Sequence, residues 1–474
     1  MGTLPNYFRD VDFERIFRYH PLPEEFVDTI YQWPRGKIEE MQEERFLSLI
    51  RDAWENPFYR RLWTAHGVSL TDIKSLHDLG KLPVFSVYDF KDSIQRCPPF
   101  GEHQGVTVAD ARRIPLKIQS SGGTTGKPRP TFFGPVEWEV QAIQTARALY
   151  VQGARPGDVL QIPATLSTAN FAWCYYRAAH LYMGVVPVTT GSGMVTSSRR
   201  QLEVAREWGI NLWASFPEYM LHLAEVAQEE LSWDVRDFGT KFITSFLGPD
   251  LDGALRRQMS EVWGCATYDN YGTHEIGLAS FECPAQDGLH FMEDTIIAEV
   301  IDIDTSEPVP VGEKGNLVAT SLHRRHPPLI RYNLMDCIRV LPPGRCACGS
   351  HLLRMDHFLG RSDDMVKLRG TNLYPMACLT AIKAEPGTTG EWLCVVDRVG
   401  EGTLNVRDEM TVRVECHEEG LRRPDLKEGL ERRLLSDLGV RVSVGLVPAG
   451  SLTDLTNYGK EGKVRRLLDR RYKK

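Results

Sequence analysis

The segment Ser120-Ser121-Gly122-Gly123-Thr124-Thr125-Gly126-Lys127-Pro128 concentrates residue types that hold phosphate oxygens. Its glycines permit positive φ and let backbone amides approach one point without a blocking Cβ. Thr124 and Thr125 add hydroxyls, and Lys127 adds a point charge. A Walker A loop does not fit. Ser121 occupies that motif's first glycine position, and Pro128 replaces its magnesium-binding hydroxyl. Pro128 and Pro130 also oppose a helix directly after the loop. With Ile114–Ile118 and Pro130–Phe133 reading as extended, the expectation is a strand–loop–strand clamp for a polyphosphate. The bland alternative is a flexible Gly/Ser/Thr turn.

Four further segments could do chemistry with such a clamp. Tyr271-Gly272-Thr273-His274-Glu275 closes an extended run, and a carboxylate there could hold Mg²⁺ against nucleotide oxygens. Asp336, after Pro328-Leu329-Ile330-Arg331-Tyr332, could accept hydrogen bonds from a ribose diol, although an Asp at a strand end is commonly a turn residue. Gly360–Gly370 brackets a short strand with charges, which a solvated edge would also explain. Gly459-Lys460-Glu461-Gly462-Lys463-Val464-Arg465 places two lysines in a glycine-rich loop near the C-terminus, where a lysine is ordinarily solvated.

These residues need a framework to bring them together. From about Asp158, extended runs at Val159–Ala164, Val185–Thr190, Asn211–Phe216, Phe242–Leu247 and Ala266–Asn270 alternate with helical stretches at Ala169–Met183, Pro217–Gln228 and Asp250–Trp263. Helix-length connections imply a parallel sheet, with ligands beyond the carboxyl ends of its strands. Ile296–Asp302, Asn316–Ser321 and Cys337–Leu341 suggest a β-rich subdomain. Residues past Gly360 read as a compact α+β unit with an amphipathic helix at Asp425–Leu438. Helical spacing of Phe46, Leu47, Ile50 and Trp54 within Ile38–Trp63 suggests a packing layer. The fold class expected is α/β: a large N-terminal domain over 1–360 and a small α+β domain over 361–474.

A chain of 474 residues exceeds one core, and 42% hydrophobic with 25% charged residues is ordinary for a globular protein. A net charge of −7 argues against general nucleic-acid binding. No apolar run approaches the roughly 20 residues of a membrane span, and the first residues lack a secretory pattern. A cytoplasmic location with reduced cysteines is therefore expected, with no membrane partner. A homodimer is compatible with the sequence.

Taken in order, the glycine loop, Tyr271–Glu275, Tyr332-x-x-x-Asp336, Gly360-Arg361-x-Asp363-Asp364-x-x-Lys367-x-Arg369-Gly370 and Gly462-Lys463 form a specific set. It resembles the adenylate-forming superfamily of acyl-CoA synthetases, luciferases and peptide-synthetase adenylation domains, over roughly Ser120 to Arg465. The phenylacetate–coenzyme A ligase branch is similar through Pro328–Tyr332, Leu359–Met365 and Gly344-Arg345-Cys346-Ala347-Cys348-Gly349. The resemblance implies an AMP-forming acid–thiol ligase, joining a small carboxylic acid to coenzyme A through an acyl-adenylate, with a C-terminal lid hinged at Asp363. It places Ser121, Gly122, Gly123, Thr124, Thr125, Gly126 and Lys127 on the β/γ-phosphates of ATP, and Glu275 on Mg²⁺. Asp336 and Arg361 fall at the ribose; Gly248, Asp269, Asn270, Tyr271, Gly272 and Thr273 fall around the nucleotide. Lys463 bridges substrate carboxylate and α-phosphate, fitting the Gly-Lys-hydrophobic-Arg pattern better than Lys460. Three departures stand out: Gly122 in place of a second serine, Asn333-Leu334-Met335 before Asp336, and Gly248-Pro249-Asp250 near the adenine. Delivery of the acyl group to a carrier protein or amine, or a silent nucleotide sensor, are the other readings; Glu275 and Lys463 together disfavour the sensor.

Cys283, His290, Cys346 and Cys348 would complete a tetrahedral structural Zn²⁺ site, such as some members of that branch hold; otherwise they are four reduced residues in neighbouring loops. Phe171, Trp173, Tyr175 and Phe216 lie where the acid pocket is expected, and their rings favour an aryl acid such as an arylacetate. Core packing by the same aromatic helix is the plain alternative.

Overall fold

The computed structural model describes residues 4–121, 129–250, 253–303, 305–362, 366–368, 371–373, 375–399, 407–456 and 464–471. It divides into two compact units: Met1–Asp250 with Leu255–Phe358, and Leu359–Lys474 with Leu251–Ala254. Gly122–Lys127, Asp363 and Lys463, named above, lie outside the described residues.

In the first unit the strands are β1 (Phe85–Ser86), β2 (Lys117–Ser121), β3 (Arg129–Phe133), β4 (Val159–Ile162), β5 (Val186–Thr189), β6 (Leu212–Ala214) and β7 (Phe242–Ser245). They continue with β8 (Ala266–Thr273), β9 (Gly277–Glu282), β10 (Leu289–Phe291), β11 (Ile296–Ile301), β12 (Lys314–Ser321), β13 (Leu329–Arg339) and β14 (Arg354–Met355). The main sheet has the order β14-β10-β9-β8-β7-β6-β4-β5. Strands β5, β4, β6, β7 and β8 run parallel, while β9, β10 and β14 add antiparallel. The parallel strands are short and mostly buried, as helices on both faces require. One face packs on the helix Pro135–Gln152 and the helix beginning at Phe171; the other packs on Ser198–Trp208, Pro217–Leu231 and Ala254–Trp263.

A second sheet, β1-β13-β12-β11, carries the long strand β13. Its core is shared with the N-terminal helices through Phe46, Ile50, Phe58 and Trp63. The helical pattern of Ile38–Trp63 is two helices, Arg35–Trp54 and Pro57–Ala65. Pro57 cannot continue the first helix, and Asn56 caps the second by accepting from Phe58 N at 2.9 Å. The helix expected from Asp250 begins at Ala254, because Asp250 turns its carboxylate onto the amides of Leu255 and Arg256, both 2.9 Å away. β2 and β3 form an antiparallel hairpin in which Ser121 pairs with Arg129.

A buried charge cluster ties the N-terminal segment to this unit. Asp294 takes both Arg147 Nη1 contacts at 2.9 Å and faces His20 Nδ1 at 3.5 Å. Burial pushes the His20 pKa down to about 4, so the native imidazole is neutral. An unfolded histidine titrates near 6.5. As pH falls from about 6.5 toward 4, the unfolded chain takes up a proton that the native state does not, and stability is lost at about 1.4 kcal/mol per pH unit from this group. Thermal midpoints measured between pH 7.5 and pH 4.5 should fall, and His20→Gln should flatten that slope.

The second unit builds a sheet in which Thr388–Val399 is central, flanked by antiparallel Arg407–Cys416 and parallel Leu467–Asp469; Ser443–Pro448 runs parallel to Arg407–Cys416. The helix Leu426–Leu438 buries Leu426, Leu430, Leu434 and Leu438, a stripe repeating every four residues, against Trp392, Val396, Val412 and Val414. Arg466 closes one end of this core, stacking on Trp392 at 3.9 Å and holding Glu391 through two 2.8 Å hydrogen bonds.

Candidate active site

Strand β8 delivers the expected nucleotide residues, and its neighbours fix them. Asp269 and Asn270 are buried, and their side chains are used by the fold. Asp269 Oδ1 accepts from the amides of Leu247 (2.8 Å) and Asn270 (2.9 Å). Asn270 Nδ2 donates to Thr244 Oγ1 and Ser245 O, each at 2.8 Å. Together they set the loop after β7, where Gly248 adopts φ +72° with open space around it. A side chain there would be strained by the backbone, so the turn needs glycine.

Tyr271 points its hydroxyl at Asp336, donating to Oδ2 at 2.6 Å, while its ring lies 6.1 Å from that of Phe358. Asp336 does not follow a strand, as its sequence neighbourhood suggested; it lies within β13, where the pairing with β12 shifts register. Met335 at φ +58° makes the irregularity, and Asn333 Oδ1 holds the Met335 amide at 2.8 Å. The bulge re-aims Asp336 toward Tyr271. Gly272 has no room for a side chain: a Cβ would sit 2.3 Å from Gly277 O. Thr273 Oγ1 accepts from the Glu275 amide at 3.3 Å.

Glu275 follows β8 and pairs with Arg129, whose Nη2 donates to Oε1. Burial is the largest influence and acts to raise the Glu275 pKa, but the Arg129 guanidinium, together with His274 and hydrogen bonds from the Glu275 amide and Thr273, outweighs it and holds the carboxyl at about 2. The carboxylate is thus ionised and fixed, which suits a ligand for a hard divalent cation. Its neighbour His274 is held neutral by burial, down at about 4, and neither ring nitrogen has a hydrogen-bond partner among the described residues. Arg361 belongs to the second unit.

The aromatic residues divide into two groups. Phe171, Phe216 and Tyr175 come together: Phe171 stacks on Phe216 with centroids 4.8 Å apart and lies 5.0 Å from Tyr175. Phe246, which the sequence reading missed, joins them 5.8 Å from Phe171. Phe216 and Phe246 follow β6 and β7, and Phe171 opens the helix after β4, so the rings meet at the carboxyl ends of neighbouring parallel strands. Phe216 remains 42% exposed, leaving a face for a ligand. Trp173 does not join this group. Two residues on from Phe171, its ring turns the other way and covers the Lys117 ammonium at 3.7 Å, opposite Trp138 at 3.9 Å. Burial pushes the Lys117 pKa down to about 8.

Cys283, His290, Cys346 and Cys348 converge, with one ligand atom from each lying within 4.8 Å of all the others. Cys283 Sγ is 3.8 Å from Cys346 Sγ, and Cys348 Sγ is 3.5 Å from His290 Nε2. Zinc–sulfur and zinc–nitrogen bonds of about 2.3 and 2.05 Å give tetrahedral edges of about 3.8 and 3.6 Å, so the spacing fits that ion. The Tyr31 hydroxyl donates to Cys348 Sγ at 2.9 Å. Hydrogen bonds from Cys283, His290 and Tyr31 pull the Cys348 thiol toward thiolate, and Cys283 is pushed up in turn. Tyr31 lies more than three hundred positions from Cys348, beyond the reach of any local motif.

Comparison with known proteins agrees with this architecture. Residues 370–471 match the AMP-binding enzyme C-terminal domain family. The phenylacetate-coenzyme A ligase of Thermus thermophilus is 32% identical over 467 residues, covering 92% of this chain and 98% of that protein. The phenylacetate-coenzyme A ligase of Aromatoleum evansii is 31% identical, covering 94% and 98%. Among solved structures, 2-hydroxyisobutyryl-CoA ligase in the postadenylation state with 2-HIB-AMP superposes with a TM-score of 0.81 at 27% identity, over 93% of this chain and 91% of that one. The fold and the similarity define an adenylate-forming enzyme. The chain belongs to the phenylacetate–coenzyme A ligase family and is an AMP-forming acid–thiol ligase acting through an acyl-adenylate.

Proposed function

We propose that this chain activates an arylacetate or related aryl carboxylate and transfers it to coenzyme A. The observation that carries the aryl preference is the ring cluster of Phe171, Phe216 and Phe246 at the carboxyl ends of three parallel strands. A flat ring packs against such a wall offset or edge-on, which a small hydroxy acid cannot do. The names of the Thermus and Aromatoleum relatives support the same class, while 2-hydroxyisobutyrate, acted on by the solved structural relative, is the competing substrate.

The residue roles are those that the resemblance to adenylate-forming enzymes implies. Ser121 to Lys127 hold the β/γ-phosphates, Asp336 and Arg361 take the ribose hydroxyls, and the Gly248 turn with Tyr271 borders the base. Glu275 would hold Mg²⁺, which when bound neutralises phosphate charge while the adenylyl group is transferred to the acid. The carboxylate of the acid attacks the α-phosphorus and pyrophosphate leaves. Lys463 stabilises the charge gathered there. The second unit, pivoting at Asp363, then withdraws Lys463 so that the coenzyme A thiol can reach the acyl-adenylate. Cys283, His290, Cys346 and Cys348 hold a structural Zn²⁺ that takes no part in the reaction.

The test is pyrophosphate release from ATP and Mg²⁺ across a panel of acids, then thioester formation with coenzyme A. Phenylacetate and its ring-substituted analogues should exceed 2-hydroxyisobutyrate in kcat/KM by at least about tenfold, the discrimination expected from a few apolar contacts. Equal or reversed preference would sink the aryl assignment. Adenylation without thioester would favour a carrier protein or amine as acceptor.

A further inference from the structure

Arg129 has no part in the roles above, yet it makes the closest polar contact to Glu275. It is the first residue of β3, directly after residues 122–128, and its register partner is Ser121 at the end of β2. We propose that Arg129 is a positioning residue: it aims the Glu275 carboxylate at the metal and links that ligand to the closing end of the phosphate loop. This rests on the reading of Glu275 as the Mg²⁺ ligand.

Three observations carry the proposal. First, the pair is secluded, with side-chain exposures of 11% for Arg129 and 13% for Glu275. A secluded ion pair is generally no more stabilising than apolar residues of similar volume, so stability alone is a weak reason for one. Second, both residues line a small cavity with Phe90, His103, Thr131 and Arg324, and the other cations there do not compete for the carboxylate. Arg324 spends its donors on carbonyls: Pro327 O at 3.3 Å, Glu275 O at 2.9 Å, Phe132 O at 3.3 Å and His326 O at 2.9 Å. His103 is neutral, pushed down to about 3 by burial, and its Nδ1 lies 2.9 Å from Ser93 Oγ. Third, Glu275 is gripped at two points, its main-chain carbonyl by Arg324 and its Oε1 by Arg129. A carboxylate held through one oxygen has a set rotation and presents the other in a defined direction. Metal ligands are commonly oriented by such a hydrogen bond, and losing it weakens metal binding about 10–100-fold.

The experiment is Mn²⁺ binding to the full chain, read by electron paramagnetic resonance with ATP present and acid omitted, alongside AMP binding, which needs no metal. Arg129→Gln should weaken Mn²⁺ about 10–100-fold and leave AMP affinity unchanged. Arg129→Lys keeps the charge but loses the planar fork, and should weaken Mn²⁺ about tenfold; it also serves if the glutamine variant does not fold. Wild-type Mn²⁺ affinity in a folded Arg129 variant overturns the proposal, as does a parallel loss of AMP affinity. Glu275→Gln separates the two readings. If it alone weakens Mn²⁺, only the role of Arg129 fails; if it has no effect, the metal-ligand reading falls and the proposal with it.

Discussion

Lys463→Ala is expected to cut acid-dependent ATP–pyrophosphate exchange by about 10²–10³-fold, the loss typical when a charge-stabilising donor is removed from a transition state. The carboxylate is a weak nucleophile attacking a polyanion, and negative charge accumulates on the α-phosphate as the new bond forms. A lysine in contact with that phosphate and the incoming carboxylate lowers the barrier for this step. The second step has a different need. There the adenylate is already the electrophile and AMP already a good leaving group, so the lysine is dispensable. Lys463→Ala supplied with presynthesised acyl-adenylate and coenzyme A should therefore form thioester at close to the wild-type rate. Lys460→Ala should leave both half-reactions within a few-fold of wild type. Near-normal exchange in the Lys463 variant would refute the assignment, and equal loss in both half-reactions would point to a damaged fold.

What could be read in advance follows from how far each signal reaches along the chain. The parallel strands β4, β6 and β7 were legible because short buried runs are punctuated by helix-length polar segments, a local pattern. The break at Asn56-Pro57 was equally local but was masked by apolar residues that keep helical spacing on both sides of it. Asp336 was misplaced for a geometric reason. A bulge inside β13 interrupts alternation just as a strand end does, and sequence cannot separate the two. Trp173 was grouped with Phe171 by proximity in sequence, although residues two apart on a helix point to different sides. Phe246 was overlooked because its aromatic partners come from other strand ends. Arg129 belongs to none of the motifs named in the sequence, and only the return of β8 brings Glu275 to it. Long-range pairings of this kind, Tyr31 with Cys348 among them, have no periodicity to betray them.

The second large effect is expected at the Cys283/His290/Cys346/Cys348 cluster. Purified protein should carry about one zinc per chain, and Cys346→Ser should abolish it and lower the apparent thermal midpoint by on the order of 10 °C. Cys283 and Cys346 are buried, so loss of the ion would leave sulfur atoms and an imidazole enclosed with little beyond one another and the Tyr31 hydroxyl. His290 Nδ1 already has no hydrogen-bond partner among the described residues, which leaves Nε2 as the atom turned to the cluster. The consequence should be structural and confined. His290 sits on β10, paired with β9 and β14, so the ion would pin the antiparallel margin of the main sheet while Phe171, Phe216 and Glu275 keep their places. Adenylation assayed well below the lowered midpoint should accordingly stay within a few-fold of wild type. Chelator treatment at neutral pH should reproduce the shift in the wild-type protein and leave the Cys346→Ser variant unmoved. Protein free of zinc, with a Cys346→Ser variant that melts where the wild type does, would mean that the four side chains converge without a metal to hold.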